Sequence, residues 1–233
     1  MEEDLTEFSV TTERRETGII PKIIAVRHAE SVANTQGIYQ GRSYDTDLSP
    51  LGKKQAQALA KRLKKLGIRK IITSPLRRTY QTAFEVSSLC DCPIEVSELI
   101  VETHHGIWEG KNKDWIKKNY PKIYKTWLTK PGSVIFPEGE AFTETLKRVQ
   151  TFLEKEKLSN DTLVVTHDNI VRIMITLANG WTLDDLWKHH IEPAALNFFE
   201  INSINGNPRL NLLKLNDNAH LKGLHADLSK HAL

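Results

Sequence analysis

The stretch IIAVRHAESVAN, residues 23–34, sets a run of apolar residues directly before an arginine and a histidine. Residues 23–26 suit a buried β-strand, and this run ends at Arg27 and His28. Both polar side chains are costly to bury without an anionic partner. The stretch therefore predicts a buried strand whose carboxyl end presents Arg27 and His28 to an anion.

The remainder of the chain alternates between strand-like and helical patterns. We predict strands over residues 19–26, 70–73, 94–96, 162–166, 196–201 and 210–215. We predict helices over residues 50–66, 76–88, 113–127, 140–155, 169–179 and 183–189. Because helices separate the strands, we expect an α/β fold with a mostly parallel sheet covered on both faces. Such sheets bind ligands at the carboxyl ends of their strands.

The composition is that of an ordinary globular protein. Hydrophobic residues make up 39% and charged residues 26% of the chain, which disfavours wholesale disorder. No apolar run approaches the ~20 residues of a membrane-spanning helix, and the acidic start MEEDLTEFSV is unlike a signal peptide, so we expect a cytoplasmic location. A net charge of +3 is too small to indicate nucleic-acid binding. Cys90 and Cys92 lack the spacing of a disulfide, a zinc site or a CxxC motif, so we expect free thiols.

Three polar segments follow predicted strands: VRHAES, TSPLRR and VVTHDN. They carry Arg27 with His28, Arg78, and His167, and parallel strands bring such ends together. Each residue alone has an ordinary structural explanation, such as an ion pair or a hydrogen-bonded core histidine. Together they indicate a phosphate site, because the planar guanidinium of an arginine can donate two hydrogen bonds to phosphate oxygens. The backbone N–H groups at a helix N-terminus add further donors.

Six motifs extend this pattern: RHAES with Asn34, YQGRSYDTDLSPLGKKQA, TSPLRRTYQTA, ETHHGIWEG, FPEGEAF and VVTHDNIVRI. In their order they resemble the motifs of the histidine phosphatase superfamily, in the branch that includes cofactor-dependent phosphoglycerate mutase. The resemblance implies a three-layer α/β/α sandwich with a phosphate pocket. We expect the histidine phosphatase domain over residues 19–216, a flexible extension over 1–18 and a C-terminal tail over 217–233.

The resemblance also implies a role for each matched residue. His28 is the nucleophile that becomes phosphorylated, and Glu102 is the proton donor. Arg27, Arg78 and His167 belong to the catalytic set as phosphate ligands. The resemblance further implies that Asn34, Gln40 and Gly41 contact the substrate.

Asp168 opens a second hypothesis for the proton donor. Glycine is frequent at this position in the branch, whereas a distant branch uses a His-Asp pair whose aspartate donates the proton. We favour Glu102 because its ETHHG context is present, and we assign Asp168 to a helix cap or a substrate contact. The candidates for the leaving-group side are Gln40, Tyr44, Trp108 and Trp115, although both tryptophans fit the core at least as well.

The predicted activity is hydrolysis of a small phosphate monoester whose identity the sequence does not reveal. The short segment after GIWEG resembles the phosphatase members, which favours a phosphatase over a phosphoglycerate mutase-type phosphotransferase. A non-catalytic phospho-ligand binding module is disfavoured because the polar groups needed for turnover are present. A metal-dependent hydrolase is disfavoured because no HExxH-type spacing occurs. We expect no cofactor, no metal ion, no nucleic acid and no membrane partner. The sequence is compatible with a homodimer.

Overall fold

The computed structural model describes residues 22–204 and 207–232, so the predicted extension and the first residues of the first predicted strand lie outside the described residues. The strands are β1 (Lys22–Arg27), β2 (Lys70–Thr73), β3 (Ile94–Val96), β4 (Thr162–Thr166), β5 (Leu196–Ile204) and β6 (Asn207–Asp217). They form a six-stranded sheet in the order β3-β2-β4-β1-β5-β6. The first four strands are parallel, and β5 and β6 extend the sheet as an antiparallel pair. The prediction of a mostly parallel sheet is confirmed.

Helices cover both faces of this sheet. They are α1 (Val32–Thr35), α2 (Pro50–Leu66), α3 (Arg77–Cys90), α4 (Lys113–Asn119), α5 (Pro121–Thr129), α6 (Phe142–Lys155) and α7 (Asp168–Ala178). Ile23 and Ala25 of β1 belong to one hydrophobic cluster, whereas Ile24 and Val26 belong to another. Because side chains alternate across a strand, the two clusters lie on opposite faces of the sheet. The three-layer α/β/α sandwich is therefore present.

The second helix begins and ends where its sequence signals predict. The hydroxyl of Ser49 accepts a hydrogen bond from the N–H of Gly52, and Pro50 occupies the first turn. Gly67 ends the helix in the left-handed conformation, with φ of 72°. The buried side chains of the helix include Leu59 and Leu63, which pack against the sheet in the same cluster as Ile24.

The prediction of one helix over residues 113–127 is wrong. The structure has α4 and α5, with a break at Tyr120, whose φ is −131° and ψ is 49°. Pro121 causes the break, because proline disfavours helical geometry in the preceding residue and has no N–H to donate. The next helix begins at Phe142 rather than at Glu140, because the backbone of Glu140 is paired with neighbouring loops.

Two further segments differ from their predicted form. A 3₁₀ helix, Leu183–Lys188, replaces the short α-helix predicted over 183–189. The last two strands are longer than predicted, because β5 and β6 pair with each other along most of their length. Within the described part of the chain, no helix is long and apolar enough to cross a membrane, and both cysteines are free thiols, as predicted.

The parallel strands bring the three polar segments to one edge of the sheet. Arg27 of β1 is in register with Thr166 of β4, and β2 pairs with β4 on its other side. His28 and His167 therefore follow adjacent strand ends, and α3, which carries Arg78, begins shortly after β2. The predicted convergence of these segments is confirmed.

Candidate active site

A cavity lies at this carboxyl edge of the sheet. Its lining residues are Arg27, His28, Asn34, Ile38, Tyr39, Gln40, Gly41, Arg78, Glu102, His105, Asp168 and Ala232. Of the residues to which a catalytic or phosphate-binding role was assigned, His167 alone is absent from this lining, and its ring lies 5.5 Å from the ring of His28. The fold thus brings the predicted residues into one cluster.

Two hydrogen bonds determine which nitrogen of His28 carries the proton. Nδ1 lies 2.7 Å from the carbonyl oxygen of Ala29, which can only accept, so Nδ1 is protonated. Nε2 therefore keeps its lone pair and accepts a hydrogen bond from Nε of Arg78 at 3.2 Å. Burial, together with the positive charges of Arg78 and Arg27, holds the pKa of His28 well below its ordinary value. The ring is neutral at neutral pH.

The guanidinium of Arg27 is fixed by hydrogen bonds from its Nη1, whereas its Nε–H is unpaired among the described residues. Its Nη1 donates to Oδ1 of Asp168 at 3.0 Å and to the carbonyl oxygen of Ile191 at 2.9 Å. Its Nη2 lies 3.3 Å from Nδ1 of His231, and its buried Nε makes no hydrogen bond within the described residues. A buried N–H without an acceptor is costly, so Arg27 is suited to an anionic ligand.

Arg78 is fixed in the same manner by the loop that precedes α2. Nη1 donates to Oδ1 of Asp45 at 2.9 Å, and Nη2 donates to the carbonyl oxygen of Gly41 at 2.9 Å. The side chain of Arg78 is 1% exposed, so Asp45 supplies the counter-charge that its burial requires. Hydrogen bonds to neighbouring residues therefore fix the positions of both predicted arginines in the site.

His167 is the N-cap of α7 and is wholly buried. Its Nε2 lies 2.8 Å from Oγ of Ser74, which also accepts the N–H of Leu76 at 3.4 Å. We assign the Ser74 proton to Nε2, which leaves Nδ1 as a protonated donor, and Nδ1 has no partner among the described residues. Burial and the nearby positive charge of Arg78 hold the pKa of His167 well below its ordinary value.

Glu102 is the carboxyl in the lining whose acid form is favoured. It is 4% exposed, and its carboxylate oxygens accept the N–H groups of Thr103 at 2.8 Å and Asn169 at 3.5 Å. Burial raises the pKa of Glu102 to about 7, and the nearby charge of Asp168 adds to the rise against the effect of the Thr103 N–H. Glu102 can therefore release and regain a proton near neutral pH.

Asp168 is surrounded by positive charge. It is the first residue of α7, and its two oxygens accept from Arg27 at 3.0 Å and from Arg172 at 2.6 Å. Burial opposes its negative charge, but Arg172 and Arg27 outweigh burial and lower the pKa of Asp168 below its ordinary value. Asp168 thus stays ionised at neutral pH.

Helix α1, through Asn34, and the loop after it add neutral polar groups to the lining. Oδ1 of Asn34 accepts from the N–H of Ser31 at 3.0 Å, and Oε1 of Gln40 accepts from the Ser31 hydroxyl at 3.0 Å. The amide nitrogens of Asn34 and Gln40 donate no hydrogen bond in the described structure, so they are available to a ligand. Gly41 contributes its carbonyl oxygen to Arg78 and has φ of 53°.

Several lining residues were missed by the sequence reasoning. His105 lies in the quoted ETHHG motif, is 1% exposed and has a pKa that burial lowers to about 4. Tyr39 also lines the cavity, and Ala232 reaches it from the far C-terminus beside His231. Trp108 is a core residue, wholly buried in the hydrophobic cluster.

Of the four candidates for the leaving-group side, Gln40 lines the cavity, whereas Tyr44, Trp108 and Trp115 do not. Tyr44 is 39% exposed. Across residues 22–204 and 207–232, no group of three or more His, Cys, Asp or Glu side chains is placed to hold a metal ion.

Comparisons with known proteins identify the family of the chain. The family model of the histidine phosphatase superfamily (branch 1) matches residues 23–216. Phosphoserine phosphatase 1 of Hydrogenobacter thermophilus is 34% identical over 212 residues, which cover 90% of this chain and 98% of that protein. The adenosylcobalamin/alpha-ribazole phosphatase of Escherichia coli is 26% identical over 180 residues, covering 76% and 88%. The crystal structure of the alpha-ribazole phosphatase from Shigella flexneri matches with a TM-score of 0.73 at 25% identity, covering 84% of this chain and 96% of that chain.

Proposed function

The chain belongs to the histidine phosphatase superfamily (branch 1), and we propose that it hydrolyses a small phosphate monoester through a phosphohistidine on His28. The observation that carries the proposal is the protonation state of His28. Its Nδ1–H is committed to the carbonyl of Ala29, so the unprotonated Nε2 is available beside Arg78 in the cavity lining. A nucleophilic nitrogen must carry no proton on its lone pair, and Nε2 meets this requirement because it only accepts a hydrogen bond from Arg78.

Two arginines and a histidine provide the charge and the donors that bind the phosphoryl group. A phosphate monoester carries about 1.5 to 2 negative charges near neutral pH. The guanidiniums of Arg27 and Arg78 offset that charge, and Nδ1–H of His167 adds a donor. When phosphate binds, the Nε–H of Arg78 shifts its hydrogen bond from His28 to a phosphate oxygen. Catalysis then rests on positioning and electrostatic stabilisation.

The reaction proceeds in two displacements. In the first, Nε2 of His28 forms a bond to phosphorus while the bond from phosphorus to the leaving oxygen breaks, and protonated Glu102 gives its proton to that oxygen. In the second, a water oxygen attacks phosphorus, Glu102 takes a proton from the water, and the P–N bond breaks to release phosphate. The Ala29 carbonyl stabilises the positive charge on the phosphorylated ring through Nδ1–H.

We assign the proton donor to Glu102 rather than to Asp168. A general acid works best with a pKa near the working pH, and that of Glu102 is raised to about 7. Asp168 is ion-paired with two arginines and ionised, so it has no proton to give. Asp168 is better suited to hold Arg27 in place.

Hydrolysis is favoured over transfer to a second substrate by the short segment between Gly110 and Phe136, which folds into α4, α5 and a single 3₁₀ turn. Phosphoserine is the first ester to assay, because the relative that is 34% identical is named a phosphoserine phosphatase. The cytoplasmic location and a homodimer stay predictions from the sequence.

A turnover screen tests the proposal. The chain is incubated with phosphoserine, phosphoglycerates, sugar phosphates and nucleotides, and released phosphate is measured against a His28→Ala control. We expect phosphate release from a small monoester and none from the variant. Interconversion of phosphoglycerates without phosphate release would instead indicate a mutase, and ligand binding without turnover would indicate a binding module.

Metal independence is a further prediction, because Arg27 and Arg78 occupy the role that a divalent cation has in other phosphatases. Activity should survive prolonged treatment with a strong chelator followed by removal of the chelator. A loss of activity that zinc or magnesium restores would contradict this prediction.

A further inference from the structure

A third buried arginine, Arg172, has no part in the proposed reaction. It lies on α7 one turn beyond Asp168 and is 6% exposed. Burying a guanidinium is expensive unless its donors and its charge are matched. Its contacts therefore indicate why the fold tolerates it.

The plane of the Arg172 guanidinium is fixed from several directions. Nε donates to Oδ2 of Asp168 at 2.6 Å, and Nη1 donates to the carbonyl oxygens of Leu186 and His189, the former at 3.2 Å. The guanidinium also lies over the ring of Trp187, with 4.9 Å to the ring centroid. These hydrogen bonds need several N–H donors in one plane, which a guanidinium has and the single ammonium group of lysine does not.

Asp168 connects this fixed group to the cavity. One of its oxygens is held by Arg172, and the other accepts from Nη1 of Arg27 at 3.0 Å. The same Nη1 donates to the carbonyl oxygen of Ile191, in the segment that Arg172 also binds. Nη1 of Arg27 is therefore committed and Nη2 contacts His231, whereas the buried Nε–H has no partner among the described residues and remains for a ligand.

We infer that Arg172 is a positioning residue for the phosphate site: through Asp168 it fixes Arg27 so that the Nε edge of the guanidinium meets a bound phosphate. This inference rests on the proposed function for the identity of the ligand. Arg172 does not touch the ligand, because its Nε and Nη1 donate to Asp168 and to the carbonyl oxygens of Leu186 and His189 and it does not line the cavity. It acts by orientation, because a carboxylate held at both oxygens cannot rotate and so defines where Arg27 lies.

The test measures the affinity for inorganic phosphate by titration calorimetry in Arg172→Met, Arg172→Lys and the unchanged chain. Arg62→Met is the matched control, because Arg62 is ion-paired with Asp217 at 3.4 Å and is absent from the cavity lining. We expect Arg172→Met to weaken phosphate binding about tenfold, the value of one charge-assisted hydrogen bond. Arg172→Lys keeps the positive charge but lacks the planar guanidinium. Its dissociation constant for phosphate should therefore lie nearer, on a logarithmic scale, to that of Arg172→Met than to that of the unchanged chain. Arg62→Met should bind phosphate as the unchanged chain does.

A double variant separates orientation from general destabilisation. If Arg172 acts through Asp168, then Arg172→Lys should add no loss of phosphate affinity to Asp168→Asn. Normal phosphate binding by Arg172→Lys, or an added loss in the double variant, would overturn the inference. Should Arg172→Met fail to fold, Arg172→Lys decides alone.

The outcome is distinguishable from failure of the proposed function. If phosphate binding depends on Arg172 as expected but no monoester is hydrolysed, the proposed function fails and the positioning role stands. If monoesters are hydrolysed through His28 and the Arg172 variants bind phosphate normally, the positioning role alone is wrong. Absence of phosphate binding by the unchanged chain would overturn the inference.

Discussion

Glu102 and Asp168 are buried carboxyls in the lining of one cavity, yet their neighbours favour opposite protonation states. Backbone N–H groups contact Glu102, whereas two guanidiniums contact Asp168. A carboxyl between two cations stays ionised, and one that lacks such a partner keeps its proton to higher pH. The sequence alone offered both residues as proton donors, because the motif reveals their positions and not the charges around them.

The substrate can be used to identify the donor. We predict that Glu102→Gln slows phosphoryl transfer from an alkyl phosphate by about 10²- to 10⁴-fold, the usual contribution of a positioned general acid. Transfer from nitrophenyl phosphate should slow much less, because nitrophenolate leaves without a proton. The measurement is single-turnover kinetics, since Glu102 also activates the hydrolytic water and would obscure the difference in steady state.

Asp168→Asn is the matched comparison for this experiment. A residue that orients Arg27 affects both esters, so its loss should lower the two rates by about the same factor. If the leaving-group dependence instead appears in Asp168→Asn and not in Glu102→Gln, the assignment of the donor is wrong.

At the scale of elements, the strand ends were predictable and the loops that complete the site were not. Periodicity identified β1, β2 and β4, and parallel pairing then required Arg27, Arg78 and His167 to converge. Ala232 and His105 escaped this reasoning because they reach the cavity through irregular segments, whose paths depend on tertiary packing. The helix break at Tyr120 was missed for a different reason. The helical pattern of apolar residues continues across Tyr120, but Pro121 disfavours helical geometry in the residue before it.

The first turn of α2 contacts the loop that carries the nucleophile. A Cβ atom on Gly52 would lie 1.9 Å from the carbonyl oxygen of Glu30, two residues beyond His28. We predict that Gly52→Ala destabilises the fold by about 1–3 kcal/mol, as overpacking does, and lowers phosphate release by displacing this loop. Urea unfolding and turnover measured on the same preparation check both effects.

The other end of the same helix supplies the control. Gly67 has φ of 72°, and a Cβ there would meet no atom within 4 Å. Gly67→Ala should cost about 1 kcal/mol through backbone strain and leave turnover per folded molecule unchanged. Equal turnover in the two variants would mean that α2 does not position the loop.

At the scale of the whole molecule, the buried site makes stability depend on pH. His28, His105 and His167 are neutral in the fold because burial lowers the pKa of each. Their pKa returns to about 6.5 on unfolding, so below that pH the unfolded chain binds more protons and stability falls as pH falls. Glu102 acts in the opposite sense, because its folded pKa of about 7 exceeds its unfolded one. The three histidines outnumber it, so acid should destabilise the fold.

This opposition gives a stability prediction for Glu102→Gln. Between pH values of about 4.3 and 7, the folded chain binds the extra proton on Glu102, so that residue's contribution to stability is lost as pH rises. The variant has no such loss, and its stability relative to the unchanged chain should be about 2 kcal/mol greater at pH 8 than at pH 5. Urea unfolding of both proteins across this range measures the difference. A constant difference would contradict the raised pKa of Glu102.

The covalent intermediate on His28 is the central claim, and trapping it is the most direct test. Glu102→Gln with labelled nitrophenyl phosphate should accumulate the phosphoenzyme, because the leaving group needs no acid while the hydrolytic water loses its base. Denaturation in alkali preserves a phosphohistidine, and peptide mapping then locates the label. We predict an acid-labile phosphate on the peptide that contains His28, and no label in His28→Ala. Label that persists in His28→Ala, or that maps to His167, would contradict the account.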